Sequence, residues 1–360
     1  MSGPGWLRGV GVGPGDPELV TIKAARLLGE ADVVAFHSGT RGDSIARRIA
    51  ARYFRPDAIE VLLVYPVTTG ATDHPLGYHG LMADFYDESA DRLAAHLDSG
   101  RNVAVIAEGD PLFYGTYMYL HDRLADRYDA SVVPGVTSVS GSTAAVATGL
   151  CRHEDVLTIL PGTLPVPELA RRLADTDAAV IMKLGRTFDG VREALRQAGR
   201  LHDARYVERA SSDSERVLSV ADVDASSVPY MSMIVVPGQD QRADAAGRAA
   251  SSSTAAQSGS TDAVTPGERH PCGEVVVVGL GPGPDRWLTP EVSAALAEVD
   301  HVVGYAPYVN RVPQRAGLTR HASGNTVEVD RARLAFDLAK NGERVAVVSG
   351  GDAGIFGMAA

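Results

Sequence analysis

The sequence predicts an α/β protein that contains an internal duplication, and three observations carry this. Short β-branched strands alternate with helical patterns, the mark of α/β architecture. A glycine-proline turn, "GVGVGPGDPELVT" at residues 9–21, returns as "VVGLGPGPDRWLT" at 277–289. A second matched pair follows each turn in the same order: "RNVAVIAEGDPLFYGTYMY" (101–119) and "ERVAVVSGGDAGIFGMAA" (343–360).

Taken in order, each turn leads into a helix and then a strand. "TIKAARLLGEADVVAF" has Ile22, Ala25, Leu27 and Leu28 at near-helical spacing, and "TPEVSAALAEVDHVVGY" has Val292, Ala295 and Leu296. Thr21 and Thr289 stand where N-caps belong. The turns are offset by 268 residues and the Gly-Asp pairs by 242, so the first copy holds 26 extra residues, assigned to an insertion over 66–91. The first copy continues through strands in "ASVVPGVTSVSG", "DVLTILPG", "AAVIMKLG", "ARYVERAS" and "YMSMIVV". No counterpart of these follows the second Gly-Asp pair, so either the natural protein is longer or the second copy is a remnant. Residues 237–271 are rich in Ser, Ala, Gly and Asp and nearly free of large apolar side chains, which reads as a flexible linker. The expected organisation is a first domain over 5–238, a linker over 239–272 and a partial second copy over 273–360. A half-copy should bind no cofactor by itself and should expose half of its core.

Composition excludes several classes. With 45% hydrophobic and 22% charged residues the chain is an ordinary globular protein. A net charge of -11 offers no basic field for nucleic acid or an anionic membrane. No apolar run is long enough to span a bilayer, and the N-terminus has no signal pattern. The two cysteines, Cys151 and Cys272, have no metal or redox spacing and fit a reduced cytoplasm. "GVGPGD" is not the dinucleotide fingerprint, because the spacing is wrong and Pro14 and Pro17 stiffen the turn. A nicotinamide oxidoreductase is therefore disfavoured, and no phosphate-binding loop occurs.

"GPGDPELVT", "AEGDPLFYGT", "VPGVTS" and "YMSMIVV", in that order, resemble the tetrapyrrole methylase family. The resemblance implies two αβα subdomains with a cleft between them, S-adenosylmethionine (SAM) as cofactor and a tetrapyrrole as methyl acceptor. Within the family, "GVGVGPGDPELVTIKA", the 66–91 insertion, and "CRHEDVLTILPGTLPVPEL" followed by "VIMKLGR" are most similar to precorrin-2 carbon-20 methyltransferases. "VVVGLGPGPDRWLTPE", "GYAPYV" and "VAVVSGGDAGIFGMA" are similar to the front half of precorrin-3B carbon-17 methyltransferases. The implied chain is a fusion of two enzymes of cobalamin biosynthesis, cytoplasmic and homodimeric, with no metal. Alternatives are methylation of cobalt-factor II, uroporphyrinogen, diphthine or ribosomal RNA, or a non-catalytic SAM- or tetrapyrrole-binding module.

The resemblance also implies sites. SAM would meet Pro14, Glu108, Gly109, Asp110, Pro111, Phe113, Thr137, Ser138, Met182, Lys183, Ala210, Tyr230 and Met231. Locally, Gly109 lets backbone approach a ligand, while Asp110 either fixes its loop or caps a helix starting near Pro111. Thr137 and Ser138 also read as helix-capping residues. The acceptor carries many carboxylates, which arginine matches well. The chain has only three lysines and so 31 arginines, and Arg41, Arg47, Arg48, Arg52 and Arg55 cluster just after the first strand. Arg41, Arg47, Arg48 and Asp16 are the substrate candidates; a solvated helix face and a self-capped turn are their plain readings. Related uroporphyrinogen methylases have an aspartate where this chain has His37. His37 is the candidate base or substrate contact.

Overall fold

The computed structural model describes residues 3–40, 42–67, 72–238, 273–283, 288–324 and 327–353. Arg41, the linker over 239–272 and Pro284 lie outside them. The chain divides into two compact units, Met1–Gly141 with Arg286–Glu291, and Ser142–Asp285 with Val292–Ala360.

The first unit contains β1 (Leu7–Gly11), α1 (Ile22–Glu30), β2 (Val33–Ser38), α2 (Ile45–Ala50), β3 (Ile59–Val64), α3 (Gly77–Asp98), β4 (Val103–Ala107), α4 (Tyr117–Leu124) and β5 (Ala130–Val133). Its sheet is fully parallel, in the order β3-β2-β4-β1-β5. Such a sheet is covered on both faces, so its strands read as apolar runs rather than alternations. One face buries Leu7, Val33, Val105 and Leu63 with Leu93 and Leu97 of α3 and Leu120 of α4. The other buries Val10, Val34 and Ile106 with Leu27 and Leu28 of α1 and Ile49 of α2. The Thr21 hydroxyl caps α1, accepting from the Ala24 N–H at 3.2 Å. The inward stripe of α1 is Ala24, Leu27 and Leu28; Ile22 is exposed.

Next come α5 (Ser138–Val146), β6 (Leu157–Pro161), α6 (Val166–Ala174), β7 (Ala178–Met182), α7 (Phe188–Gln197), β8 (Arg205–Glu208), β9 (Arg216–Ser219) and β10 (Ser232–Val236). The second sheet runs β6-β7-β10-β8-β9 and is mixed. β6 and β7 are parallel, whereas β10 is antiparallel to both β7 and β8. The short strand β9 has no counterpart in the sequence reading. Leu169 and Leu173 of α6 and Val191 and Leu195 of α7 pack on Ile181, Tyr206 and Ile234.

The second copy contains β11 (Glu274–Gly279), α8 (Pro290–Glu298), β12 (His301–Tyr305), α9 (Ala306–Val309), β13 (Thr319–Ser323), α10 (Glu328–Lys340) and β14 (Arg344–Ser349). Its parallel order β11-β14-β12-β13 repeats β1-β4-β2-β3 strand for strand. The extra residues of the first copy are not confined to 66–91. Helix α3 has 22 residues against 13 in α10. Residues 65–76 separate β3 from α3, against 324–327 in the second copy, and 39–58 separate β2 from β3, against 306–318. Among the described residues β11 pairs with β14 alone, while β1 pairs with both β4 and β5; Val277 of β11 is 40% exposed.

Candidate functional site

In the first sheet, β1 and β4 are neighbours although two strands intervene in sequence, and the loops leaving their carboxyl ends meet. The Gly109 N–H donates to the Gly13 carbonyl at 2.8 Å, forming an isolated bridge past the end of both strands. Gly13 and Gly109 both take positive φ, 79° and 62°, which glycine adopts without strain. A Cβ on Gly11 would lie 2.5 Å from the Gly135 nitrogen and 2.6 Å from the Gly109 carbonyl oxygen. Three loop backbones therefore cross with no room for a side chain. The second copy repeats the crossing, with a Gly281–Gly351 bridge and positive φ at both residues.

Asp110 ties two of these loops together. Its carboxylate accepts from the Leu112 N–H at 2.9 Å and from the Gly135 N–H at 3.2 Å. It caps no helix, because α4 begins only at Tyr117. Pro111 is buried beneath the loop, Phe113 packs edge-on against Tyr114 at 5.2 Å, and Tyr114 takes a left-handed φ of 55°. Glu108 accepts from the Ala46 N–H at 3.0 Å and so anchors the start of α2. Its side chain reaches solvent, yet the protein around it pushes its carboxyl above the usual range, against the pull of the Ala46 N–H and Arg48. Thr137 accepts from the Ser140 N–H at 3.3 Å and caps α5, which Ser138 opens.

The turn after β1 keeps Pro14 buried, and Asp16 accepts from the Glu18 N–H at 2.8 Å. Asp16 thus braces its own turn, which continues as a single 3-10 turn with Pro17 at its first position. The second copy braces its turn from outside. Arg311 donates to the carbonyls of Leu280 at 2.6 Å, Gly281 at 2.9 Å and Gly283.

The arginines after β2 are engaged. Arg47 forms a two-pronged pair with Glu60 and lies over the Phe36 ring at 6.0 Å. Arg48 faces Asp43 at 3.9 Å, Arg52 faces Glu18 at 4.0 Å, and Arg55 binds Asp32 and Asp57, each at 2.7 Å. Arg47 and Arg48 line a hollow of about 390 Å³ with Phe36, Ser44, Glu60 and Leu62. Both therefore face a concave surface.

His37 stands at the carboxyl end of β2. Its ring stacks on Tyr65 (5.3 Å, 12°) and is tilted against Phe85 at 6.1 Å and edge-on to Tyr86 at 6.5 Å. Burial pushes its pKa down to about 4. An imidazole of that pKa stays neutral near pH 7 and is a weaker base than a free histidine. Its Nδ1 lies 3.4 Å from Thr116 Oγ1, which in turn accepts from the Tyr65 hydroxyl at 2.9 Å. Nε2 is enclosed and has no hydrogen-bond partner among the described residues, which costs on the order of 1–3 kcal/mol. Tyr65, Phe85, Tyr86 and Thr116 were not legible as site residues. Only Thr116, which closes "GDPLFYGT", carried a signal that could have found it.

In the second unit the remaining candidates gather at one end of the mixed sheet. β7 and β8 both oppose β10, so residues after β7 and β8 share an end with those before β10. There the Met182 carbonyl accepts from Gly162 N–H at 2.6 Å, and the Met231 carbonyl from Arg209 N–H at 2.8 Å. Lys183, Arg209 and Ser211 take left-handed φ values of 59°, 50° and 61°. Non-glycine residues hold that conformation at a cost, and such outliers concentrate at ligand sites. Ala210 is buried between two of them, Lys183 is exposed, and Tyr230 is 77% exposed, an aromatic ring held in solvent.

Known proteins match the chain throughout. The family model of the Tetrapyrrole (Corrin/Porphyrin) Methylases matches residues 7–224 and again 274–360. The chain is 55% identical, over 100% of its length, to the cobalamin biosynthesis protein CobIJ of Mycobacterium bovis, and spans 66% of that relative. It is 47% identical over 240 residues to precorrin-2 C(20)-methyltransferase of Sinorhizobium sp, covering 67% of this chain and 98% of that protein. A third relative, precorrin-3B C(17)-methyltransferase of the same source, is 46% identical over 88 residues, 24% of this chain and 35% of that protein.

Proposed function

The chain belongs to the tetrapyrrole (corrin/porphyrin) methylase family, and on that premise we propose that residues 5–238 methylate carbon 20 of precorrin-2, giving precorrin-3A in cobalamin biosynthesis. The observation that carries this reading is the 47% identity over nearly the whole length of a precorrin-2 C(20)-methyltransferase. Residues 273–360 are proposed as the front portion of a precorrin-3B C(17)-methyltransferase, supported by the repeated strand order and crossing glycines.

SAM is the proposed cofactor, and it would supply an electrophilic methyl group. The residues present fit such a ligand. Gly11 and Gly135 close on neighbouring backbone, whereas a Cβ on Gly109 would meet nothing nearer than 3.7 Å, so the crossing fixes the shape of the loops that a ligand would meet. Asp110 keeps that crossing in register and places negative charge beside it, which suits a sulfonium. Pro14, Glu108, Pro111, Phe113, Thr137 and Ser138 are proposed holding residues, and Met182, Lys183, Ala210, Tyr230 and Met231 are further contacts that the family resemblance proposes. Arg47 and Arg48 meet substrate carboxylates in exchange for Glu60 and Asp43, an exchange open to them because both pairs reach solvent.

The protein's work in methyl transfer is alignment of the two reactants and exclusion of water. A cytoplasmic homodimer completes the proposal, and light scattering tests the dimer. The deciding experiment incubates the chain with methyl-labelled SAM and, separately, precorrin-2, cobalt-factor II and uroporphyrinogen III, with products read by mass spectrometry. One methyl on precorrin-2 alone is the expected result. Label on cobalt-factor II alone reassigns the substrate to the cobalt-bearing form, and label on none of the three overturns the acceptor.

A further inference from the structure

The Gly-Asp loop ends at Thr116, and Thr116 joins two side chains from other strands. The Tyr65 hydroxyl donates to Thr116 Oγ1 at 2.9 Å. Tyr65 also hydrogen-bonds the Tyr86 hydroxyl; with Tyr86 as the donor in that bond, the Tyr65 proton is left for Thr116. Thr116 Oγ1, having accepted, directs its own proton elsewhere, and His37 Nδ1 lies 3.4 Å away. Nδ1 then accepts, and a neutral imidazole must carry its single proton on the other nitrogen. That nitrogen is Nε2, the atom with no partner among the described residues. The flat stacking of Tyr65 on the ring and the tilted Phe85 hold the plane of the imidazole.

We propose that Tyr65 and Thr116 are positioning residues that fix His37 as the neutral Nε2–H tautomer, so that His37 offers the bound tetrapyrrole a hydrogen-bond donor and not a base. This rests on the reading of the loop cluster as the methyl-acceptor site. The burial that suppresses protonation of the ring supports it. An unpaired buried N–H has a built-in preference for a ligand that brings an acceptor, and precorrin-2 carries many carboxylate oxygens. A substrate lacking the acceptor at that point would leave the N–H unpaired, so the group also discriminates between substrates.

Two measurements test it. The full chain, labelled with nitrogen-15 histidine, is studied by long-range proton–nitrogen correlation spectroscopy near neutral pH, with the His37 signals identified by their loss in His37→Gln. The expected pattern is the uncharged Nε2–H tautomer in the wild type and in Thr116→Ser, with Thr116→Val shifting population to Nδ1–H. An imidazolium, or an Nδ1–H tautomer in the wild type, overturns the proposal whatever the substrate proves to be. In the methyl-transfer assay, His37→Gln, whose amide can donate from a similar position, should keep kcat/KM within about threefold. His37→Phe should lose roughly tenfold or more with SAM affinity unchanged. Equal losses in the two variants overturn the donor role. Absence of methylation by the wild type itself would instead refute the acceptor assignment, and leaves the spectroscopic test standing.

Discussion

At the scale of single residues, Asp110 engages both carboxylate oxygens with backbone donors on two loops, Leu112 and Gly135. Asp110→Ala should therefore cost roughly 1–3 kcal/mol of stability and loosen the glycine crossing. Calorimetric titration with SAM should show affinity falling by about tenfold or more, with Asp110→Asn intermediate. His37 makes a pH prediction. Its folded pKa of about 4 lies below the unfolded value of 6.5. Above pH ~6.5 both states are neutral and its contribution is complete; as pH falls toward 4 the unfolded state takes up a proton that the folded state refuses. Urea unfolding should show about 2 kcal/mol lost from this group between pH 7 and pH 5, a loss absent in His37→Gln. A variant with the same pH dependence as the wild type would refute the assignment.

At the scale of elements, the second sheet depends on one buried cation. Arg200 donates to the carbonyls of Leu173 (3.3 Å), Thr176 (2.9 Å), Asp177 (2.7 Å) and Pro237 (2.9 Å). It joins the end of α6 and the approach to β7 to the exit of β10, with only 4% of its side chain exposed. A carbonyl left unpaired in that position has no water to replace the donor. Arg200→Leu should lower stability by roughly 2–4 kcal/mol in denaturant titration, and Arg200→Lys should restore only part, since an ammonium cannot span four carbonyls. The glycine turns show how two copies of one element solve one problem differently. Asp16 braces the first from within, and Arg311 braces the second from across the sheet end.

At the scale of the molecule, the loops proposed for the cofactor leave both sheets of the first copy, and among the described residues the second copy repeats four of the five strands of the first sheet. A chain ended after Gly238 should keep precorrin-2 methylation within about twofold, because no proposed holding residue is removed. Loss of activity in that shortened chain, with folding preserved by circular dichroism, would assign residues 273–360 a part in the first reaction. The parallel order β1-β4-β2-β3, recovered as β11-β14-β12-β13, makes the duplication a matter of topology as well as motif.

The duplication, most strands and helices, and the glycine loops were legible in the sequence because each depends on short-range chemistry. Apolar period sets helix or strand, and a tight turn or close backbone approach demands glycine. The crossing at Gly109 follows from "GDP" and "PGVTS" once β1 and β4 are known to be neighbours, but that neighbourhood is decided by the sheet. The antiparallel sense of β10, the tie from Asp110 to Gly135 and the spread of the extra residues beyond 66–91 likewise belong to tertiary structure. His37 is the clearest case. Residue type suggests a group that titrates near neutrality. Tyr65, which follows β3, and Phe85 and Tyr86 of α3 pack on the ring, and its burial holds its pKa down. Burial sums contributions from distant parts of the chain, so no local pattern contains it. The sequence alone determined the family, the repeat and the glycine loops; only the folded chain decided the burial of the histidine beside them.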